Sequence, residues 1–515
     1  MLDRRTFLQL GLLGGSYVLL APRRIFANNL TGLGSPPTPP FVAELPIPPL
    51  AVPTAPFSTR CPTTDDTLFF EIHQVEALHR FHPALPENLI WGYDGSIPGP
   101  TFRARVGQPQ VIRFFNDLPR DHRGFGVPNT TIHRHAGFQA SESDGFPSDF
   151  FPPGTSKDFC YPNVYAGGDV REGQSTLWYH DHLVSFTAPN VYKGLAGMYL
   201  MFDEIDSGDE TDPNPRALGL PSGEFDIPLV VQDKLFNRNG KLVYNSFDHN
   251  GFLGDKFLAN GVIQPFLRVA RRKYRFRFLD ASNARFYQFF LSSGQKFIQI
   301  GADDKLLPHP VLRNTFGVAP GQRVDVVVDF SGYEIGDEVI LENRLVQTNG
   351  RGPDEIARPG TPILKFIVDR DAYDPSQVPN TLRELPPIDL DRVGAKRLFE
   401  FNRSDGAWQV NGEFFDEDRV SATPRLGVPE IWTLKNGGGG WFHPIHIHLE
   451  SFRILSRNGS PPGPHEPARR DTIVLGPGDE VRILIQFRTF RGRYAFHCHN
   501  LEHEDMAMMA RFDTV

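Results

Sequence analysis

The chain has few cysteines, few methionines, no excess of basic residues and almost no long apolar stretches. Three cysteines among 515 residues are too few for a small scaffold held together by disulfides. A net charge of -8, without a basic stripe, argues against binding to nucleic acid. Beyond the N-terminal segment no apolar run is long enough to cross a bilayer. We therefore expect no nucleic-acid partner and no stable membrane span.

The N-terminal segment "MLDRRTFLQLGLLGGSYVLLAPRRIFANN" has the features of an export signal. Arg4 and Arg5 precede a modest apolar stretch from Phe7 to Ala21, and a plausible cleavage point follows Ala27. Residues 1–27 are predicted to be a twin-arginine signal, which places the protein in the periplasm or outside the cell. A short anchor that is never removed is the alternative, and it also places the protein outside the cytoplasm.

The export signal bears on the cysteines. An exported location permits a disulfide between Cys61 and Cys160, but nothing in the sequence shows that the two are close, so this pairing stays open. Cys498 lies in a different setting, between two histidines, and needs a separate explanation.

The order of segments along the chain predicts several β-rich domains. Proline concentrates in residues 28–66, which are predicted to form an extended linker. Gly (48) and Pro (46) are abundant, alternating strand patterns such as "YRFRFLD" recur at domain-sized intervals, and helical periodicity is scarce. Three consecutive Greek-key sandwiches are therefore predicted, over residues 67–207, 222–370 and 397–515.

Histidines are clustered rather than scattered. Ten of the 17 histidines lie in "TIHRHAG", "LWYHDHL", "HPIHIHLESF" and "HCHNLEH". These clusters contain four His-x-His pairs, and residues i and i+2 of a strand point to the same face. Eight converging rings predict a cluster of metal ions, and soft or borderline ions such as copper suit imidazole well. The pairs are His133 and His135, His180 and His182, His446 and His448, and His497 and His499.

Cys498 faces the opposite way from its two neighbours if "HCH" is a strand. On that side it can combine with His443, His503 and Met508, which is the blue-copper arrangement of two imidazoles, a thiolate and a weak axial thioether. Cys498 would then join two metal sites. The alternatives are a small buried cysteine and, for Met508, a residue that only fills space beside its neighbouring methionines.

The four clusters, in this order, resemble the copper signatures of the three-domain multicopper oxidases. Within that family the chain is most similar to bacterial spore-coat laccases and bilirubin oxidases, through "LWYHDHLVSFTAPNVYKGLAGMYL", "RKYRFRFLDASNAR", "FIQIGADDKLLP", "HPIHIHLESFRIL" and "HCHNLEHEDMAMM". The resemblance implies an all-β chain of three cupredoxin-like sandwiches, in which the first and third hold a trinuclear cluster between them. The sequence agrees with this arrangement, because the middle third of the chain contains no His-x-His pair.

The resemblance also implies roles for single residues, with four copper ions in all. The type 1 ligands would be His443, Cys498, His503 and Met508; the type 2 ligands His133 and His446; and the type 3 ligands His135, His180, His182, His448, His497 and His499. The first motif departs from the family pattern at Arg134, which is expected to point away from the metals, and at Ala136.

Two acids match family positions that supply protons for dioxygen reduction, namely Asp144 in "SESDG" and Glu504 beside His503. A proton donor must lie within hydrogen-bond reach of its acceptor or relay through water, which sequence cannot show. Solvated surface carboxylates are the alternative for both.

The function implied is that of a laccase-like oxidase acting as a monomer. One-electron oxidation of phenolic, aromatic amine or bilirubin-like substrates at the type 1 copper would be coupled to four-electron reduction of dioxygen to water at the cluster. A metal-ion oxidase of the same family, acting on Cu(I), Fe(II) or Mn(II), is an alternative, although only six methionines are present. A non-catalytic copper-binding cupredoxin-fold protein would have lost ligands, and a two-domain copper nitrite reductase needs fewer histidines.

Overall fold

The computed structural model describes residues 34–122, 124–463, 466 and 468–515. The predicted export signal, residues 1–27, lies outside the described residues. Within the described ranges the regular secondary structure is mostly strand, with two short α-helices and a few single 3-10 turns. None of the described helices has the length and the apolar composition that crossing a bilayer requires.

The first sandwich consists of two four-stranded sheets with the orders β2-β1-β4-β6 and β3-β8-β7-β5. One helix, α1 (Thr187–Lys193), connects β7 to β8. The strands are β1 (Leu68–His79), β2 (Asn88–Tyr93), β3 (Gly99–Arg105), β4 (Gln110–Asn116), β5 (Ile132–His135), β6 (Thr155–Tyr161), β7 (Thr176–Asp181) and β8 (Ala196–Phe202).

The second sandwich pairs an eight-stranded with a five-stranded sheet. The orders are β12-β11-β9-β14-β19-β16-β17, with β10 beside β9, and β13-β21-β20-β15-β18. The strands are β9 (Asp226–Phe236), β10 (Leu242–Val243), β11 (Lys256–Ala259), β12 (Val262–Ile263), β13 (Phe266–Ala270), β14 (Lys273–Asp280), β15 (Tyr287–Leu291), β16 (Phe297–Ala302), β17 (Lys305–Arg313), β18 (Phe316–Val318), β19 (Arg323–Asp329), β20 (Glu338–Val346) and β21 (Glu355–Arg370).

The third sandwich pairs a six-stranded with a five-stranded sheet, in the orders β23-β22-β25-β30-β27-β28 and β24-β32-β31-β26-β29. A single helical turn, α2 (Leu501–Asp505), connects β31 to β32. The strands are β22 (Ala395–Ser404), β23 (Ala407–Val410), β24 (Val420–Ala422), β25 (Glu430–Asn436), β26 (His443–Ile447), β27 (Phe452–Arg457), β28 (Arg469–Arg470), β29 (Thr472–Leu475), β30 (Glu480–Ile485), β31 (Gly492–Cys498) and β32 (Met509–Thr514).

Side-chain alternation along the strands explains how the cores form. In β14, Tyr274, Phe276 and Phe278 point into the core of the second sandwich, and burying each such ring stabilises the fold by about 1.5–3 kcal/mol. Arg275 and Arg277 point to the other face and are also buried. They form ion pairs with carboxylates there, because a buried guanidinium needs charged partners.

The described part of the proline-rich segment packs along the first two sandwiches. Its backbone bonds to the second sandwich from Leu45 and to the first from Ala51 and Thr54. The pairing that the sequence left open is present, since Cys61 and Cys160 form a disulfide. The segment is therefore fixed to β6 by a covalent bond.

The prediction of an all-β chain in three sandwiches is confirmed. All strands of each pair of sheets lie inside one of the predicted ranges, except that β22 begins at Ala395, two residues before residue 397. The exact domain limits stay predictions.

Candidate metal centre

Two pairs of neighbouring strands carry the histidines of the predicted cluster. In the first sandwich β5 and β7 run antiparallel, with His133 opposite His180. In the third sandwich β26 and β31 run antiparallel, with His446 opposite His497. The two sheets face each other, and the ring centroids of His135 and His446 are 3.6 Å apart. The side chains therefore meet at the junction of the first and third sandwiches.

Three of these histidines converge tightly. The Nε2 atom of His182 lies 3.3 Å from that of His448 and 3.2 Å from that of His497. The Nε2 atoms of His448 and His497 are 3.2 Å apart. Three nitrogens thus point at one position.

The remaining five histidines of the four pairs form two further groups. The Nε2 atoms of His133 and His446 are 3.4 Å apart. The ring of His499 lies 5.1 Å from that of His135 and 5.5 Å from that of His180. All eight side chains are buried.

A separate group forms around Cys498 on the opposite face of β31. Its Sγ lies 3.5 Å from His443 Nδ1 and 3.6 Å from His503 Nδ1, and the two nitrogens are 3.2 Å apart. The main chain of Met508 is adjacent, because Cys498 N donates to Met508 O at 3.0 Å. The side chain of Met508 is buried in the same core as Cys498.

Helix α2 positions His503. The Asn500 side chain caps the N-terminus of this helix by accepting a hydrogen bond from His503 N, as polar N-cap residues commonly do. The His503 Nε2–H donates to Asn250 O at 3.1 Å, which directs Nδ1 toward Cys498. The ring of Trp408 packs against His503 with centroids 3.9 Å apart.

The two predicted acids lie among the cluster histidines. Asp144 accepts hydrogen bonds from His133 Nδ1 at its main-chain oxygen and from His448 Nδ1 at Oδ2, both at 2.7 Å. The Glu504 carboxylate lies 3.2 Å from His182 Nδ1 and 3.0 Å from His497 Nδ1. Both acids are buried, so the alternative of a surface carboxylate is wrong for each.

Burial controls the proton affinity of these groups. It raises the pKa of Asp144 to about 7, against the opposing hydrogen bond from Gln139 and the charge of Arg134. It lowers the pKa of His180 and of His443 to about 3. Neutral imidazoles, with a free lone pair, are the form that binds metal ions.

Two buried residues of the site were not found from the sequence. Asp471 accepts a hydrogen bond from His135 Nε2 at 2.9 Å, its main-chain oxygen accepts one from His446 Nδ1, and it forms an ion pair with Arg323. Burial opposes its ionisation, but Arg323 and His135 outweigh this and lower the pKa of Asp471. The second residue is Trp178.

Trp178 stacks on the ring of His180 with centroids 4.2 Å apart. Its only sequence signal is its place in "LWYHDH". Arg134 points away from the histidines, as expected, and packs over Tyr161 while donating to Asn163.

Hydrogen bonds to one ring nitrogen leave the other free to bind a metal ion. His180 and His446 donate from Nδ1 to main-chain carbonyls, as His133 does, and such bonds fix the tautomer that presents Nε2. His135 instead donates from Nε2, to Asp471, and its Nδ1 has no hydrogen-bond partner. His180 Nε2 and both nitrogens of His499 also lack one, a costly state for buried polar atoms unless a ligand satisfies them.

The distances fit metal ligation. Two nitrogens about 2.0 Å from one ion at near-tetrahedral angles are about 3.3 Å apart, and the nitrogen pairs described above are separated by 3.2–3.4 Å. Imidazoles with a single thiolate form a donor set that copper prefers. Fold and site together define a metalloprotein of three β-sandwiches with one thiolate-containing group and one all-histidine group.

Comparisons with known proteins name the class. Two sequence models of the family described as "Multicopper oxidase" match residues 76–205 and 388–515. A bilirubin oxidase from Albifimbria verrucaria is 36% identical over 93% of this chain and 82% of its own length. A laccase from Bacillus subtilis is 33% identical over 92% of this chain and 98% of its own. The chain belongs to the multicopper oxidase family.

Solved structures support the same conclusion. A laccase from Pediococcus acidilactici superposes with a TM-score of 0.79, at 27% identity, over 93% of this chain and 95% of that one. McoA, a multicopper oxidase from Aquifex aeolicus, gives 0.73 at 28% identity over 89% of this chain and all of that one.

These comparisons confirm the predicted family, fold class and enzyme class. The protein is a copper-binding oxidase, and its histidine groups fit copper sites. A metal-ion oxidase is not favoured among the alternatives. The assignment of each ligand to a particular ion stays a prediction.

Proposed function

We propose that this protein is a laccase-like oxidase that takes single electrons from phenolic, aromatic amine or bilirubin-like donors and reduces dioxygen to water. The observation that carries the proposal is the tripeptide His497-Cys498-His499 at the end of β31. Cys498 reaches the group containing His443 and His503, while its two neighbours reach the histidine group at the sandwich junction. One stretch of backbone therefore joins an electron-accepting site to an oxygen-reducing site.

Four copper ions are proposed, each with ligands from this chain. His443, Cys498, His503 and Met508 would hold the type 1 ion, and His133 and His446 the type 2 ion. The type 3 pair would be held by two triads, one of His182, His448 and His497 and the other of His135, His180 and His499. When bound, copper would supply one-electron redox chemistry at the first group and dioxygen binding and reduction at the others.

Buried carboxylates orient these ligands and hold protons beside them. The Glu504 carboxylate lies 3.2 Å from His182 Nδ1 and 3.0 Å from His497 Nδ1, while the Nε2 atoms of both rings point at one position. Asp144 accepts a hydrogen bond from His448 Nδ1. Because dioxygen reduction consumes protons, both acids are proposed as the proton-supplying catalytic residues, with the proton carried on a carboxylate oxygen.

The nature of the donor is supported by the relatives, which are a bilirubin oxidase and laccases. A metal-ion donor is less well supported. Soft Cu(I) binds thioethers, and the described methionines, from Met198 to Met509, are either buried or half-buried.

We also propose that the protein is exported by the twin-arginine pathway and works as a monomer in the periplasm or outside the cell. Arg4 and Arg5 in the N-terminal segment support export. The Cys61–Cys160 disulfide supports it independently, because such bonds persist in oxidising compartments.

The test is reconstitution of the purified protein with copper, followed by metal analysis and turnover. We expect four copper ions per chain, an intense blue absorption, and oxidation of a simple phenol that depends on both copper and dioxygen. Fe(II) and Mn(II) serve as comparison donors. A fully loaded, blue protein that oxidises only these metal ions would contradict the proposal.

A further inference from the structure

Arg134 stands between two cluster histidines and departs from the family pattern. Its side chain points away from the metals and is 1% exposed. The guanidinium donates from Nε to Gln139 Oε1 and from Nη1 to Asn163 Oδ1, each at 2.8 Å. It also lies 3.9 Å from the ring centroid of Tyr161. Burying a charge among neutral partners is costly, so Arg134 is expected to contribute more than packing.

Gln139 connects Arg134 to the carboxylate of Asp144. The side chain of Gln139 is buried. Its Oε1 accepts from Arg134, and its Nε2 donates to Asp144 Oδ1 at 3.0 Å. Because a guanidinium can only donate hydrogen bonds, the amide oxygen of Gln139 must face Arg134 and the amide nitrogen must face Asp144. Arg134 therefore fixes this amide as a donor to the carboxylate.

Asp144 passes the orientation on to a cluster histidine. Its Oδ2 accepts from His448 Nδ1 at 2.7 Å, while its Oδ1 is held by Gln139. Rotation of the carboxylate would break both hydrogen bonds at once. The Nδ1–H of His448 is thus held in place, and the lone pair is on Nε2, which lies 3.3 Å from His182 Nε2 and 3.2 Å from His497 Nε2.

Both ends of this network are anchored to other parts of the chain. At one end, Asn163 Nδ2 donates to the main-chain oxygen of Gln108 at 2.9 Å. At the other end, the main-chain oxygen of Gln139 accepts from the Tyr494 hydroxyl, in the third sandwich, at 3.0 Å. Buried polar networks with satisfied members are rigid. The guanidinium and the amide between the two anchors are therefore held in one arrangement.

We propose that Arg134 is a positioning residue for the histidine group. Acting through Gln139 and Asp144, it fixes the orientation of His448 and thereby raises the affinity of this group for copper. The inference rests on the proposed function, in which the histidine group holds copper, and deepens it by identifying what controls its metal affinity. Removing an outer partner of a metal ligand typically lowers metal affinity 10- to 100-fold.

The experiment measures how well copper is retained. Copper-loaded wild type and variants are equilibrated with increasing concentrations of a chelator. The copper left per chain is then measured beside the blue absorption, which reports the Cys498 group. Arg134→Leu and Gln139→Met should each lose half of the copper of the histidine group at about tenfold lower chelator concentration than the wild type, while the blue absorption persists.

The double variant Arg134→Leu/Gln139→Met separates positioning from packing. If Arg134 acts through Gln139, the double variant should retain copper about as well as Gln139→Met alone, because the link is already broken. Two independent packing defects would instead add to about a 100-fold effect. Circular dichroism checks the fold of each variant, and Gln139→Met, which leaves Arg134 in place, tests the same link if Arg134→Leu does not fold.

Arg103→Leu is the matched control. Arg103 lies on β3 of the same sheet as Arg134 and is partly buried, with its guanidinium 4.3 Å from the ring centroid of Phe202. This variant loses a comparable contact between an arginine and an aromatic ring, and it should retain copper as the wild type does.

The inference is overturned if Gln139→Met retains copper as well as the wild type, if the effects of the two changes add, or if Arg103→Leu loses copper equally. A wild type whose histidine group binds no copper, or that consumes no dioxygen with a phenol, would instead contradict the proposed function. The two failures are therefore distinguishable.

Discussion

At the scale of single residues, function is concentrated in neighbouring side chains that face different ways. From Glu502 to Asp505, four consecutive residues contact the loop of residues 245–254, the Cys498 group, the cluster histidines and helix α1 in turn. One helical turn therefore connects the donor side of the molecule to the dioxygen side. A substitution at any of these positions is expected to have an effect that depends on which way its side chain points.

Cys498→Ser tests the thiolate. Oxygen is a poor replacement for the soft sulfur ligand of copper, so the variant should lose the blue absorption and retain under about 1% of the oxidase activity. Absorption spectroscopy and oxygen uptake measure the two effects. Circular dichroism should be unchanged, since serine fits the same small buried site, and a variant that is still intensely blue would refute the ligand assignment.

Glu504→Gln tests the proton supply at the cluster. An amide keeps the size of the side chain but cannot release a proton, so dioxygen turnover should fall about 10- to 100-fold while the blue absorption persists. The control is Glu355→Gln, at an exposed position at the start of β21. Unchanged turnover in Glu504→Gln would show that this carboxylate only orients His182 and His497.

At the scale of elements, the ligand-bearing strands could be predicted from sequence and their partners could not. The i, i+2 spacing in "HRH", "HDH", "HIH" and "HCH" is local, so it reveals which face each strand presents. Asp471 and the loop of residues 245–254, whose Asn250 contacts His503, have no such local signal. Both reach the site only through long-range packing, and Asp471 lies 336 residues from the His135 that it contacts.

The disulfide links the proline-rich segment to strand β6. It spans 99 residues of sequence. Closing a loop of that length lowers the conformational entropy of the unfolded chain, which stabilises the folded state by up to about 4.7 kcal/mol. The double variant Cys61→Ser/Cys160→Ser should therefore melt several degrees lower by calorimetry. Activity at 25 °C and the blue absorption should match the wild type, because no ligand is touched; loss of colour would contradict this separation of roles.

At the scale of the whole molecule, Glu172 ties the three sandwiches together. This buried residue of the first sandwich accepts from Arg469 and Arg488 of the third, each at 2.7 Å. Its main-chain oxygen accepts from Lys305 of the second, also at 2.7 Å. Burial opposes the charge, but Arg469, Lys305 and Arg488 outweigh it and lower the pKa of Glu172 to about 2.

Glu172→Gln should destabilise the protein by about 3 kcal/mol at pH 7, because it leaves buried cations without their carboxylate. A carboxyl group whose pKa is lowered by folding stabilises the fold at pH values above its ordinary pKa of about 4.5. This stabilisation is lost as the pH falls toward 2. The arginines remain charged over this range. The difference in melting temperature between wild type and variant should thus shrink between about pH 4.5 and pH 2, and a difference that is independent of pH would contradict the role of this charge.

The arrangement of the three sandwiches was only partly readable from the sequence. Alternating strand patterns that recur at domain-sized intervals predict three β-units. The family resemblance, with which the absence of His-x-His pairs from the middle third agrees, predicts which two carry the cluster. The sequence could not show that Glu172 joins all three, nor that the loop of residues 245–254 in the second sandwich contacts His503. Both depend on how the sandwiches pack, which local patterns do not encode.

Under the proposed function, electrons taken one at a time at the Cys498 group are used four at a time on dioxygen. The most direct measurement is oxygen uptake by the copper-loaded protein on an electrode, with a known amount of phenol and an assay for peroxide in the same vessel. We expect four donor molecules to be oxidised per dioxygen consumed, with no peroxide. Two donors per dioxygen with one peroxide released, or a blue protein that takes up no dioxygen, would contradict it.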